Sequence, residues 1–371
     1  MSPRYAHITG WGMAIPEKIV TNHDLEKMVD TNDEWIISRT GIRERRIASD
    51  GQSTATLAAE AGLRALEVAN LRPADLDLII VSTSSPEYLF PATACLVQDQ
   101  IGAVKAGAFD LSAACTGFVY ALNLAAQAIR SHSIENALVI GSETLSRLVN
   151  WKDRNTCILF GDGAGAFVLQ ASEEVGGVLS AVMRSDGSGG ELLVVPAGGS
   201  RHPTSLQTVY EGQHYIQMNG REVFRFATRV MSQATQEAVA AANLKMEDIQ
   251  WIIPHQANQR IIEAAARNLE FPMERVIVNL DRYGNTSTAS IPLAVCEAIQ
   301  DGRLKPGDRV VMVAFGAGLT WGSVLTQWTG PFPTRRKVRP KRVRFWARLR
   351  SLLRRLRRRL DGLLWGRGGT A

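Results

Sequence analysis

The sequence predicts a duplicated α/β fold, and three observations carry that reading. Apolar runs such as Leu76 to Thr83 (LDLIIVST) suit strands covered on both faces by helix layers. Strand-like runs alternate with helical ones along most of the chain. The same order then occurs twice. DLDLIIVSTS at 75–84 matches DIQWIIPHQA at 248–257 in pattern, and AFDLSAACTGFVYAL matches IVNLDRYGNTSTASIPLAV. Cys115 follows Asp75 by 40 residues and Asn285 follows Asp248 by 37, which aligns Cys115 near Asn285. Two related halves packed about a pseudo-twofold axis would bring equivalent strand-to-helix turns together.

In chain order, residues 4–10 read as a first strand closed by a turn from Gly10 to Pro16. Asn22 is suited to cap a helix over His23 to Asp30, and Thr31 or Asn32 the next one. Ser53 to Ala69 is a helix of small residues and leucines, ended by Asn70 and Pro73. Strand 76–83, helix 92–101 and a strand through Phe109 and Leu111 follow, then the small residues Ser112 to Thr116 and a helix over Gly117 to Arg130. Ala137 to Ile140 reads as a strand. FGDGAGAFVLQ at 160–170 has the glycines of a nucleotide loop, but a strand-like run follows them. No helix N-terminus is there to receive a phosphate, so close backbone packing in a sheet is the better account. Residues 185–220 are loop-rich and suited to cover a site. Asn219 to Ala242 is a long helix. Next come a strand with a turn at Pro254–His255 and a helix, a strand with a turn at Gly284–Asn285 and a helix, and two strands around the turn Phe315–Gly316–Ala317–Gly318.

The chain has 371 residues, 45% hydrophobic and 21% charged, an ordinary globular composition. The four cysteines form no CxxC pair, so neither a disulfide framework nor a zinc site is expected. No run reaches transmembrane length and the N-terminus lacks a signal-peptide core, which predicts a reducing, intracellular protein. The net charge of +6 is uneven: Arg335 to Ala371 holds 15 basic residues and one acidic, and the rest holds 27 basic and 35 acidic. A mildly acidic body carries a strongly basic tail.

The chemistry centres on Cys115, where a strand turns into a helix. A helix N-terminus favours an anion, which would lower the thiol pKa and make a nucleophile. For an isolated cysteine, a small buried core residue is the better reading. The turns at His255 and Asn285 change that, because a duplicated frame brings them toward Cys115. A thiolate is able to hold an acyl group as a thioester. A histidine donates a hydrogen bond or shuttles a proton, and an asparagine amide is a donor that does not titrate. Cysteine, histidine and asparagine also suit a papain-like hydrolase, but the local signature around the cysteine is missing and the two-half repeat is wrong for it. The other use of two donors is to polarise a thioester carbonyl while a carboxylate leaves as carbon dioxide. A backbone N–H of the turn at Ala317, with the amide of Cys115, would stabilise the oxyanion.

GWGMAIPEKIVTNHDLEKMVDTNDEWIISRTGIRERRIA, AACTGF, FGDGAGA, PHQANQRII, DRYGNTSTASIP and FGAGLTWGS, in order and spacing over residues 4–329, closely resemble the 3-oxoacyl-[acyl-carrier-protein] synthase III family. The resemblance implies a thiolase-like αβαβα layered fold, with halves at 1–175 and 176–330, and a homodimer. It also implies condensation of an acyl-CoA with malonyl-acyl carrier protein without a cofactor or metal. By that resemblance Cys115 is acylated, and His255 and Asn285 promote decarboxylation. Trp35 and Arg154 clamp the CoA adenine, with Arg39, Thr40 and Asn258 along its arm. Phe90 reaches into the partner's acyl pocket, which Leu145, Met218 and Phe315 are expected to line. Arg225, Arg260 and Arg267 dock the acidic carrier protein. Two departures stand out. The usual triple glycine is Gly316–Ala317–Gly318, where a left-handed Ala317 would cost about 1 kcal/mol. The docking region reads Ala266–Arg267–Asn268, with less positive charge than in many relatives. Non-decarboxylating acyltransferases of the same fold share the cysteine and histidine, and the Asn285 context weighs against them; a condensing enzyme of secondary metabolism is the alternative that this context leaves open.

Beyond Trp328 a basic, proline-punctuated linker (331–344) precedes a basic amphipathic helical tail (345–371). Phe345, Leu349, Leu352, Leu353, Leu356, Leu360, Leu363 and Leu364 recur at helical spacing with arginines opposite, and Trp346 and Trp365 are available to insert. Docking of 345–364 on an anionic membrane surface is the preferred reading, making the protein cytoplasmic and peripheral at the inner membrane face. A solvated extension, a protein helix partner, or a membrane scaffold with a relict site compete with it. Nucleic acid is disfavoured, since no base-reading module accompanies the charge.

Overall fold

A computed structural model describes residues 2–331 and 339–365, without the side chains of 341 and 362–365. The readings on 332–338, on Leu363, Leu364 and Trp365 as side chains, and on 366–371 lie outside the described residues.

Two sheets carry the repeat. The first runs Tyr5–Ala14, Gly163–Ser172, Asn136–Glu143, Leu78–Ser82, Gly107–Leu111 in spatial order. The second runs Gly177–Ser185, Thr320–Gln327, Arg309–Gly316, Trp251–Pro254. Directions match pair by pair: antiparallel, antiparallel, parallel in each, with a further parallel neighbour beside the last strand. In the second sheet that neighbour shrinks to one bridge between Ile252 and Val276. The expected strand there is almost absent.

Five layers result. Helices Gly117–Arg130 and Ser290–Gln300 form the middle one. Phe118, Leu122, Ile291 and Val295 bury there against Ile80, Val139 and Phe167 of one sheet and Ile253, Met312 and Val324 of the other. Ile79 and Val81 face the outer helices Thr54–Ala69 and Thr93–Ile101. This is why 78–82 is apolar without alternation: both faces are covered. Gly220–Ala241 and Gln259–Asn268 cover the second sheet, with Phe226, Val230, Ile261 and Ile262 buried against Val311 and Leu325.

Local signals set several boundaries. Ser53 caps 54–69 through the Thr56 N–H, and Asn70 ends it in the left-handed region at φ 52°. Asn32 caps Asp33–Thr40 by accepting from the Trp35 N–H at 2.8 Å. The first helix is capped by Thr21 rather than Asn22, and it ends at Glu26 instead of Asp30. Asn22 is buried, its amide donating to Asp33 and to the Ile42 carbonyl. The turn expected at Gly10 is also corrected, because the strand continues to Ala14. Side chains at Gly10 and Gly12 would collide with the backbone of helix 54–69, so these glycines let a helix lie close on a strand. The strand after FGDG forms as expected at Gly163–Ser172, and a Cβ on Gly165 would stand 2.7 Å from Pro292 of the central helix. A last helix, Pro340–Trp365, begins inside the stretch expected to be linker. No described helix is long and apolar enough to cross a membrane.

Candidate active site

The nucleophile position is built by a strained turn. Strand Gly107–Leu111 leads to Ala114 at φ 46°, a single turn Ala114–Thr116, and the central helix. The other half repeats this with Ser287 at φ 50° and the turn Ser287–Ala289. The structural counterpart of Cys115 is therefore Thr288, and Asn285 stands three residues earlier. Sequence alignment of the halves misplaced that pairing because the second half lacks its full strand.

Cys115 lies where two cavities meet. One, of about 400 Å³, is mainly apolar and lined by Leu145, Leu148, Phe160, Leu193 and Ile216 beside Cys115. The other, of about 710 Å³, holds Cys115, His255 and Asn285 together with Phe315, and also Trp35, Arg39, Arg225 and Arg260. Cys115, His255 and Asn285, up to 170 positions apart, are thus gathered on one tunnel. The excursion 185–220 does cover the site: Leu193, Val194, Val195 and Ile216 line the smaller cavity and Met218 the tunnel.

Burial pushes the Cys115 thiol up to about 12, with a hydrogen bond from Ser287 opposing and the Glu143 charge adding. The lowered pKa expected from the helix N-terminus is not found, since desolvation of a thiolate outweighs that field here. His255 directly follows strand Trp251–Pro254, its N–H donating to the Val313 carbonyl at 2.8 Å and its ring edge-on to Phe315 at 5.4 Å. Burial pushes its pKa down to about 3, so the imidazole is neutral. Nδ1 lies 2.7 Å from Ser290 Oγ, and Nε2 is buried without a partner among the described residues. The side-chain oxygen of Asn285 accepts from the Ser287 N–H at 2.8 Å. That contact fixes the amide orientation and leaves Nδ2 as the donor.

A Cβ on Gly316 would stand 2.8 Å from the Cys115 nitrogen, so only glycine leaves that amide accessible. Ala317 is not among the residues with positive φ and incurs no left-handed cost, whereas Gly318 takes φ 137°. Behind the nucleophile, Glu143 accepts from the Ser84 and Ser85 N–H groups and from the Ser85 hydroxyl at 2.6 Å. Burial raises it to about 7.

At the mouth, Trp35 has the Arg39 guanidinium 4.9 Å from its ring centroid and that of Arg154 at 5.2 Å. Arg154 also donates to the Asp30 carbonyl at 2.9 Å. Thr40 and Asn258 line the tunnel with their polar groups already engaged: Thr40 donates to the Ile36 carbonyl, and Asn258 joins the Arg39 carbonyl to the N-terminus of helix 259–268. Arg225 and Arg260 are exposed at the rim, with Arg260 over Phe224 at 5.3 Å; Arg267 is exposed further along the same helix. Of the expected acyl-pocket residues, Leu145 lines the smaller cavity. Met218 and Phe315 line the tunnel, because Phe315 packs on His255 and Met218 pairs with Leu193. Phe90 lines neither and is 86% exposed.

Sequence reasoning missed Ser287, Ser290, Glu143 and Arg221. Arg221 lines the tunnel one helical turn before Arg225, and that spacing was the available signal. The two serines lie inside the motif already singled out.

Residues 109–187 match the family model for 3-oxoacyl-[acyl-carrier-protein (ACP)] synthase III, and residues 239–328 match the model for its C-terminal part. A beta-ketoacyl-[acyl-carrier-protein] synthase III of Roseiflexus sp. (strain RS-1) is 54% identical over 88% of this chain and 99% of its own length. The enzyme of that name from Caldanaerobacter subterraneus subsp. tengcongensis is 55% identical over 87% and 98%. The crystal structure of 3-oxoacyl-[acyl-carrier-protein] synthase III from Aquifex aeolicus VF5 superposes with a TM-score of 0.81 at 49% identity, covering 87% of this chain and all of that one.

Proposed function

The chain belongs to the 3-oxoacyl-[acyl-carrier-protein] synthase III family and shares its thiolase-like fold and its reaction, the condensation of an acyl-CoA with malonyl-acyl carrier protein that starts a fatty acid; we propose that here the reaction runs through an acyl thioester on Cys115. The Cys115 sulfur attacks the carbonyl of the acyl-CoA. The N–H groups of Cys115 and Ala317 stabilise the oxyanion, and CoA leaves as a thiol with the proton that Cys115 gives up. The acyl chain then lies in the cavity lined by Leu145, Phe160 and Ile216. CoA enters along the tunnel, its adenine clamped between Trp35 and Arg154, with Arg39, Thr40 and Asn258 along its arm.

Malonyl-acyl carrier protein follows, docking on Arg225, Arg260 and Arg267. The bond from the malonyl carbon to its carboxylate breaks and carbon dioxide leaves. The electron pair moves onto the thioester carbonyl, held by Nε2–H of His255 and Nδ2–H of Asn285. The resulting enolate attacks the acyl carbonyl, the carbon–sulfur bond breaks with its electron pair going to sulfur, and the Cys115 thiolate takes a proton from solvent to become the thiol again. Substrates supply every group, and no cofactor or metal enters. The observation that carries this reading is the pair of neutral donors beside Cys115. A neutral imidazole and a fixed amide suit a developing enolate, whereas a hydrolase needs a base to activate water.

A homodimer completes the site in this reading. Strand Gly107–Leu111 is a sheet edge with Phe109 exposed, which supports pairing with a second copy, and the exposed Phe90 would enter that partner's acyl cavity. The enzyme acts in the cytoplasm, in contact with the inner membrane face through its tail. Intact-protein mass after mixing with acetyl-CoA, then with malonyl-acyl carrier protein, tests the chemistry. A one-acyl gain on Cys115, discharged into a 3-oxoacyl carrier protein with release of carbon dioxide, supports it. Discharge to water or to another nucleophile alone would place the chain among the hydrolases or acyltransferases of this fold.

A further inference from the structure

The tail helix has two faces, and the body uses the less apolar one. Val343 packs on the outer core, and Ala347 is buried against Gly102, its Cβ 3.1 Å from where a Cβ on that glycine would stand. Ser351 donates to Asp99 at 2.6 Å, and Arg355 reaches the same carboxylate at 3.7 Å. These four positions recur every fourth residue and form one face. Phe345, Trp346, Leu349, Leu352, Leu353, Leu356 and Leu360 are each 36–61% exposed. At 100° per residue, the middle of that stripe lies about 180° from the docked face. The leucines therefore do not hold the helix to the enzyme; they face solvent.

We propose that this helix is a membrane-surface anchor, clamped to the enzyme by its small-residue face and laid flat on an anionic phospholipid bilayer by its leucine face. This deepens the peripheral contact proposed above and does not depend on the chemistry at Cys115. An exposed stripe of this extent marks an interaction surface. Arg350 and Arg357 flank it on one side and Arg348 and Arg359 on the other, where guanidinium groups reach lipid phosphates as the leucines enter the acyl boundary. The helix carries nine arginines and one aspartate besides Lys341. Two such helices meeting stripe to stripe would bring like charges together, which argues against a second copy as occupant. The helix is too charged to cross the bilayer, so it lies on it.

The test is flotation of the full-length protein with vesicles of phosphatidylcholine alone or mixed with phosphatidylglycerol, at low and high salt. The expected result is binding to the mixed vesicles only, weakened by high salt. The double variant Leu352→Asp/Leu356→Asp should bind at least tenfold less while keeping its condensation rate, which reports an intact body. Absence of binding to mixed vesicles by the unaltered protein overturns the proposal. Undiminished binding by the double variant also overturns it, because charge alone would then suffice. So does a stripe-dependent higher oligomer in solution without vesicles, which would make another copy the occupant.

Discussion

The hydroxyl of Ser290 lies 2.7 Å from Nδ1 of His255, and the Gln256 N–H reaches the same oxygen at 3.4 Å. In the mechanism proposed above Nε2 carries the ring proton toward the tunnel, which makes Nδ1 the acceptor and the Ser290 hydroxyl its donor. Ser290→Ala should lower malonyl decarboxylation about tenfold, in line with a lost buried hydrogen bond of about 1–1.5 kcal/mol. Acylation of Cys115, measured separately by single-turnover mass spectrometry, should hold its rate. Equal loss in both steps would refute the tautomer argument.

Gly316 tests the oxyanion amide. Its added Cβ would press on the Cys115 nitrogen from 2.8 Å. Gly316→Ala should slow acylation about 100-fold or more, the usual effect of losing one oxyanion donor. A circular dichroism melt near that of the unaltered protein would show that the loss is local.

The pH profile of Cys115 should be unlike that of an ordinary thiol. With its pKa pushed up to about 12 by burial, the thiolate fraction keeps rising about tenfold per pH unit through pH 10. Alkylation by iodoacetamide should climb over that range, and a plateau near pH 8.5 would overturn the assignment. Decarboxylation on a pre-acylated enzyme should stay flat from pH 5 to 9, because His255 at about 3 remains neutral throughout.

Glu143 predicts a stability effect of opposite sense from most acids. Its pKa rises from 4.5 to about 7 on burial, so the folded state holds the proton more tightly than the unfolded one. That advantage is full below about 4.5 and is lost as pH rises toward 7. Glu143→Gln lacks the penalty of a buried charge. Its melting temperature relative to the unaltered protein should therefore rise between pH 5 and pH 8, and a constant difference would exclude the shift.

Trp35→Ala should raise KM for the acyl-CoA about tenfold and leave kcat nearly unchanged, because base stacking on an aromatic ring is worth about 1–3 kcal/mol and takes no part in bond breaking. A fall in kcat at constant KM would instead place Trp35 in the chemistry.

Much of this was legible in the residues. Cys115, His255 and Asn285 each sit in a short turn with a recognisable local pattern, and the repeat supplied the reason for their meeting. Glu143 carries no such mark, and Ser287 and Ser290, although inside the Asn285 motif, carry no sign of which side chains they meet. Glu143 is held by Ser85 across 58 residues and Ser290 meets His255 across 35, and contacts between elements leave no local periodicity. Gly10 and Gly12 misled for the same reason. A glycine that admits a helix and a glycine that makes a turn look alike until the packing partner is known.

The sequence by itself determined the layered α/β frame, the nucleophile and its two partners, and the apolar stripe of the tail, because periodicity and turn chemistry are local. Only the tertiary structure decided that Cys115 is a thiol and His255 a neutral ring, since desolvation sums over segments far apart in the chain. It also decided which face of the tail is held. Gly102 and Asp99 select the face of Ala347 and Ser351, and the Asp99 contact spans 252 residues. The leucines are left outward because the close approach at Gly102 seats a small residue, Ala347, at the centre of the docked face.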